Sequence, residues 1–282
     1  MDDFKRGLFK TLSILEDYLQ DIVIAGGWAP LIYYHYLMAN KNLNPLRTKD
    51  IDILVPSKLK IIANKTIDEL LVKAGLKSNF RSLHVPPVIH YEGKLEGCEV
   101  ELDFLTTQKN KAENKVIIVQ KGLHAQSLPF VSILLENTVW IKIDDYPLDK
   151  NKFLKIRVPT PGAYIFNKGL TFTRRNKMIK RAKDLYYIFD ILVNCQELMP
   201  DIVEELEKLN KNYPKNWFTR FLTNLEKYFA DETSYGIDLI VSQRPETAFL
   251  NMNNEQFRHY AFGIFQEFLT KISSMQESAG RY

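Results

Sequence analysis

The sequence predicts an α+β chain, with a mixed β-sheet flanked by helices in the N-terminal part and a helical domain after it. Three observations predict this. Between residues 79 and 144 lies a run of short strand-like segments divided by turn signals. After VPTPGAYIF the apolar residues switch to helical spacing. The change of character falls near residue 158, which predicts a domain over 1–158 and a second over 159–282.

Residues 4–19 predict a helix, with Phe4, Leu8, Leu12, Leu15 and Leu19 on one stripe. A short strand, DIVIAG, leads into Gly26-Gly27. Residues 28–39 are apolar and aromatic, as a helix packed on a sheet would be. Residues 50–55 alternate charged and aliphatic side chains, the period of a strand. Ser57 is placed to cap a helix over 58–74 that Gly75 ends. Strands are expected around 79–85, 87–92, 97–106, 115–120 and 139–144. Thr160 followed by Pro161 marks a helix start. Met178, Ala182, Leu185, Phe189 and Leu192 form one later stripe, and Phe257, Ala261, Ile264, Phe268 and Ile272 another.

Composition narrows the classes of function. Apolar content of 45% and charged content of 26% are those of an ordinary globular protein. No apolar run approaches a membrane span, and the mixed charges of MDDFKRGLFKTLSILEDYLQ do not make a secretory signal. Cys98 and Cys195 sit in dissimilar contexts and are read as reduced, as in a cytoplasmic protein. The five histidines lack ligand spacing, which argues against zinc. Net charge is only +4, yet from Lys150 to Lys183 there are eleven Lys or Arg and no Asp or Glu. Such clustering draws anions.

The chemistry is concentrated in two acidic strands. In KDIDILV, Asp50 and Asp52 alternate and so share a strand face, roughly 6–7 Å apart. Asp is a poor strand former, and two such carboxylates repel unless a cation lies between them. Oxygen ligands of this kind suit Mg²⁺, with Mn²⁺ as a substitute. In CEVELDFLT, Glu99, Glu101 and Asp103 line a second acidic face. Set beside the first strand, Asp103 would be the third carboxylate, with Glu101 in reserve and Glu99 solvated. Gly26-Gly27, between strand and helix, lets backbone N–H groups approach a phosphate.

IAGGWA, RTKDIDILV and VELDFL together resemble the DNA-polymerase-β-type nucleotidyltransferase superfamily. YIFNKGL and KRAKDLYYIFDIL are similar to motifs of its bacterial branch of AbiEii- and MenT-type toxins. The likeness spans about residues 22–193. It implies a nucleotidyltransferase fold and Mg²⁺-dependent transfer of a nucleoside monophosphate from an NTP, such as ATP, to a hydroxyl. The acceptor would be RNA or tRNA, a protein or a small molecule, the toxin branch adds an antitoxin partner, and no membrane is involved. By position, Gly26 and Gly27 would line the triphosphate, and Arg47 and Thr48 would touch phosphate. Asp50, Asp52 and Asp103 would bind metal, Asp103 also serving as base. Lys168, Lys183 and Asp184 would complete the nucleotide site.

Three features depart from the pattern. The gap from Gly27 to Asp50 is long, with Asn40–Pro45 as a loop insertion, Thr48 replaces the commoner Ser, and Tyr187 stands where the branch often has a second Asp. The alternative reading is a catalytically inactive nucleotidyltransferase-fold protein that binds nucleic acid or a partner. As an isolated residue, Lys168 reads as a surface lysine, and Lys180 with Asp184 as an i, i+4 surface pair. Trp28 and the tyrosines 33, 34 and 36 around His35 read as core packing.

Overall fold

The computed structural model describes residues 3–43, 45–46, 48–80, 89–108, 115–144 and 153–279. The chain divides into two compact units, Met1–Thr160 and Pro161–Tyr282. In chain order the first holds α1 (Asp3–Ile14), β1 (Val23–Ile24), α2 (Trp28–Ile32), β2 (Asp50–Leu54), α3 (Ile67–Lys73), β3 (Lys77–Phe80), β4 (Ile89–Leu95), β5 (Cys98–Thr107), β6 (Val116–Gln120), β7 (Leu123–Leu128), α4 (Val131–Glu136), β8 (Thr138–Ile143) and β9 (Leu154–Pro159). A single π-helical turn, Tyr33–Leu37, extends α2.

Among the described residues, seven strands form one mixed sheet with β1, β2, β5, β4 and β3 side by side. β1 runs antiparallel to β2, β2 parallel to β5, and β5 antiparallel to β4. β7 runs parallel to the last three residues of β5 and antiparallel to β6. β8 and β9 make a separate antiparallel hairpin. The period of two sorts β2 and β5 cleanly. Ile51, Ile53, Val100, Leu102 and Phe104 are buried on one face. α1 packs there through Gly7, where a Cβ would stand 2.9 Å from the Val100 side chain. Tyr91 on β4 shares that face, and its hydroxyl donates to Asp68 of α3 at 2.7 Å. On the other face Leu54 packs with Val23, Ala25, Val131 and Leu134, with Leu105 against that cluster. The charged residues of β2 and β5 occupy the remainder of this second face.

Several expected elements are corrected. The helix expected over 58–74 is only Ile67–Lys73, because Thr66 builds a capping box with Glu69 and sets the start there. The first helix stops at Ile14, and a 3₁₀ turn, Glu16–Tyr18, follows. β7, α4 and β9 were not expected as elements. The expected strand over 79–85 is seen as Lys77–Phe80, and residues 81–88 lie outside the described residues. Trp28, Tyr33, Tyr34 and His35 are buried. His35 is held by Lys5 at 2.5 Å and by the Leu43 carbonyl at 2.8 Å, a structural role.

The second unit contains α5 (Pro161–Thr171), α6 (Met178–Asn194), α7 (Met199–Asn212), α8 (Lys215–Tyr228), α9 (Tyr235–Val241) and α10 (Asn254–Ala279). α5 is buried all round from Pro161 to Leu170, as the central helix of a bundle must be. Gly169 admits the Phe221 ring of α8, and Phe166 meets that ring edge-on at 5.2 Å. Phe189 of α6 packs edge-on against Phe257 of α10 at 5.5 Å. Met178, expected in the α6 stripe, is exposed, while Ala182, Leu185, Phe189 and Leu192 are buried. Among the described residues no helix is long and apolar enough to cross a membrane.

Glu205 of α7 accepts a hydrogen bond from the Gly162 amide at the N-terminus of α5, at 3.0 Å. Burial pushes its carboxyl up to about 7, against the partial offset of that bond. The folded state therefore holds a proton that the unfolded chain releases nearer 4.5. Stability contributed by that proton is full below 4.5 and is lost as pH rises to about 7. Denaturant titrations across this range should show stability falling with pH, and Glu205→Gln should flatten that slope.

Candidate functional site

Register builds the acidic face. Asp52 of β2 lies directly opposite Asp103 of β5, and Asp50 opposite Glu101. β4 continues both rows: His90 stands opposite Asp103 and Glu92 opposite Glu101. Side chains opposite one another in adjacent strands share a face with Cβ atoms roughly 5 Å apart. So Asp50, Asp52, Glu101, Asp103, His90 and Glu92 form two rows across three strands, and Asn79 of β3 donates to Glu92 at 2.6 Å. The first four are half-buried and Glu99 is exposed. His90 is buried, with Nε2 3.2 Å from a Glu92 oxygen.

The glycine turn is fitted to this face. The Ala25 amide donates to the Asp52 carbonyl at 2.9 Å, so β1 delivers the turn beside Asp52. Gly26 has φ +62°, and a Cβ there would lie 2.0 Å from Asp52 Oδ2. Only a residue without a side chain leaves that carboxylate where it is. Gly27 precedes the first residue of α2 in helical conformation and has no side chain to cover the turn. Thr48 is buried, and its hydroxyl donates to Asp50 Oδ1. Arg47 lies outside the described residues.

Among the described residues, no three His, Cys, Asp or Glu side chains close into a ready-made metal cage. Mg²⁺ at phosphate-handling sites is usually held by one or two carboxylates, with water and phosphate oxygens completing its shell. A row of hard carboxylate oxygens beside a side-chain-free turn fits that kind of site.

In the helical unit, Lys168 of α5 is buried rather than on the surface. Its Nζ donates to Asp184 Oδ1 at 2.5 Å, and Arg175 Nε donates to Asp184 Oδ2 at 2.7 Å. Asp184 is itself buried, and these are its ion pairs rather than Lys180, which is exposed. Burial pushes the Asp184 carboxyl up, but the charges of Lys168 and Arg175 and their hydrogen bonds outweigh it and hold the group below its usual range. Lys168 Nζ also lies 5.5 Å from the Tyr164 ring centre and 5.7 Å from that of Tyr187. Lys183 Nζ lies 5.7 Å from the Tyr187 ring centre. Tyr187, where an aspartate was expected, thus supplies an aromatic face to two lysines. The structure brings Asp50, Asp52, Asp103, Thr48 and Gly26 together in one unit, and Lys168, Asp184 and Lys183 together in the other.

Sequence reasoning missed His90 and Glu92 as members of the acidic face and Arg175 as a partner of Asp184. The alternation in IHYEGKL was a signal for the first pair, but register across the β4–β5 hairpin was needed to place it.

A nucleotidyltransferase family model matches residues 12–209, and the chain belongs to that family. No curated protein is a match. Among solved structures, the chain is similar to an antigenic nucleotidyltransferase-like protein from Paracoccidioides brasiliensis, at 16% identity and a TM-score of 0.38, over 74% of this chain and 92% of that one.

Gly26→Ala is expected to displace the Asp52 carboxylate. A shift of about 1 Å should lower any transfer rate by about 100-fold, while backbone strain costs only about 1–2 kcal/mol. Initial-rate assays paired with thermal melts separate the two effects. Lys168→Met should cost about 3 kcal/mol in urea unfolding, because Asp184 would stay buried with Arg175 as its remaining cation.

Proposed function

We propose that the protein is a Mg²⁺-dependent nucleotidyltransferase that moves a nucleoside monophosphate from an NTP to a hydroxyl acceptor and releases pyrophosphate. The observation that carries this is the pairing of Asp52 with Asp103 beside the side-chain-free turn at Gly26, in a member of a nucleotidyltransferase family.

Asp50 and Asp52 would hold the divalent ion, Mg²⁺ or Mn²⁺, and Asp103 would complete its ligands. The ion, when bound, neutralises triphosphate charge. Thr48 keeps the Asp50 carboxylate turned, since its hydroxyl donates to one oxygen. The bare backbone at Gly26 and Gly27 lets amide groups approach phosphate. Asp103, half-buried next to the reacting region, would take the proton of the acceptor hydroxyl as its oxygen attacks the α-phosphorus and the bond to pyrophosphate breaks. Lys168 and Lys183 would serve the nucleotide's negative charge, with Asp184 fixing Lys168, and Arg47 would add a further cation. Catalysis would then come mainly from positioning and electrostatics.

RNA, tRNA ends included, is the acceptor favoured by the cation-rich stretch from Lys150 to Lys183. Kinship with the AbiEii- and MenT-type toxins, and with it a neutralising antitoxin partner, is part of the same proposal and rests on the YIFNKGL and KRAKDLYYIFDIL motifs. Cys98 and Cys195 are both in the reduced form, which suits a cytoplasmic setting.

Incubation with each α-labelled NTP, Mg²⁺ and total cellular RNA or lysate should transfer label to a macromolecule, and Asp52→Ala should abolish it. Full labelling by that variant would refute the assignment of the acidic face.

A further inference from the structure

The β8–β9 hairpin has one face in the core and one face in solvent. Ile141, Ile143, Leu154, Ile156 and Val158 are buried, while Trp140, Lys142, Phe153 and Lys155 are exposed. Register sets Trp140 opposite Arg157 and Lys142 opposite Lys155. Trp140 is 43% and Phe153 51% exposed, a large amount of aromatic surface to leave in water. Each ring carries a cation. Lys155 Nζ is 5.0 Å and the Arg157 guanidinium 5.9 Å from the Trp140 ring centre, and Lys142 Nζ is 4.9 Å from that of Phe153.

Beside the rings is an open cleft of about 400 Å³, walled by Trp140, Phe153, Leu154 and Lys155 on the hairpin and by Glu16, Leu19 and Gln20 after α1. That volume lies in the range of small-ligand sites. Arg157 ties the two walls together, because its Nη1 donates to the Gln20 carbonyl at 3.2 Å and its Nη2 to the Leu135 carbonyl at 3.0 Å. The rings are thus presented on a braced scaffold.

The geometry points to a subsite for an unstacked base of a single-stranded nucleic acid, with Trp140 and Phe153 as stacking surfaces and Lys142 and Lys155 serving the flanking phosphates. Aromatic platforms bordered by cations are how single strands are held without a sequence code. Two acids also belong to this surface. Asp144 pairs with Lys142 at 3.5 Å, and Glu16 stands in the cleft wall. A flat anionic membrane would be repelled by Glu16. For a base inserted in the cleft the same carboxylate is a hydrogen-bond acceptor, suited to the exocyclic amino group of cytosine or adenine and opposed to the carbonyl of uracil. The surface therefore favours C- or A-containing strands over U-rich ones. That such a strand is the transfer acceptor rests on the nucleotidyltransferase reading, whereas its binding does not.

The test is binding of short oligo(A), oligo(C) and oligo(U) to the full chain, read by tryptophan fluorescence and anisotropy, in EDTA and without NTP. This separates it from the labelling assay, which needs the acidic face and metal. Oligo(A) and oligo(C) should bind more tightly than oligo(U), with affinity falling as salt rises. Trp140→Ala and Phe153→Ala should each weaken binding by about 5- to 100-fold, Trp140→Phe should restore much of it, and Glu16→Gln should erase the preference against oligo(U). All three positions are on the surface, and unchanged melting curves would show the variants folded. Wild-type affinity in both alanine variants would overturn the proposal. So would ring-dependent binding to phosphatidylserine vesicles, or ring-dependent self-association in sedimentation, without oligonucleotide binding.

Discussion

Parallel pairing of β2 with β5 puts the Asp52 side chain next to that of Asp103, and the rest of the candidate site is arranged around that contact. The Cβ atoms of such opposed residues stand about 5 Å apart, so the two carboxyl groups share one patch of the face. A strand pair that served only to fill a sheet would not set carboxylates opposite one another on a half-buried face. The same face changes character along its length. Leu54 and Leu105 continue the rows of Asp52 and Asp103 into an apolar cluster under α4. One end anchors the sheet and the other presents charge, with the period of two keeping both on the same side.

The turn at Gly26 and the hydroxyl of Thr48 make sense as devices for that pair. Each limits where a carboxylate can go, one by leaving no room for a side chain and one by a hydrogen bond. The helical unit solves the opposite problem. There a buried carboxylate, that of Asp184, is satisfied by two cations, and Lys168 is further enclosed by Tyr164 and Tyr187. The departure at Tyr187 is therefore not a gap in the structure, because the ring takes part in holding the lysine.

The acidic motif was legible in the sequence because alternation needs no tertiary information: D-x-D and E-x-E-x-D put carboxylates on one face of any strand. The mixed sheet and the helical C-terminal part followed from the same periodicities. Other features depend on partners distant in sequence. Lys168 looks like a solvated lysine until Asp184, sixteen residues on, is folded against it. The helix drawn from Ser57 failed because Thr66 and Glu69 offered a stronger, reciprocal cap nine residues later. β9 was not expected because LKIRVP carries charges on its outward face and ends in a proline, where the pattern changes to helical. His90 joined the acidic rows only through the register of β4 with β5.

On the proposed function, Asp50, Asp52 and Asp103 form one cation-binding face. Crystals grown with Mn²⁺ and a non-hydrolysable NTP analogue test it most directly through the anomalous signal of the metal. A peak should stand about 2 Å from carboxylate oxygens of Asp50 and Asp52, with the triphosphate lying along the turn at Gly26. Bound nucleotide with manganese elsewhere, or with those carboxylates turned from it, would contradict it.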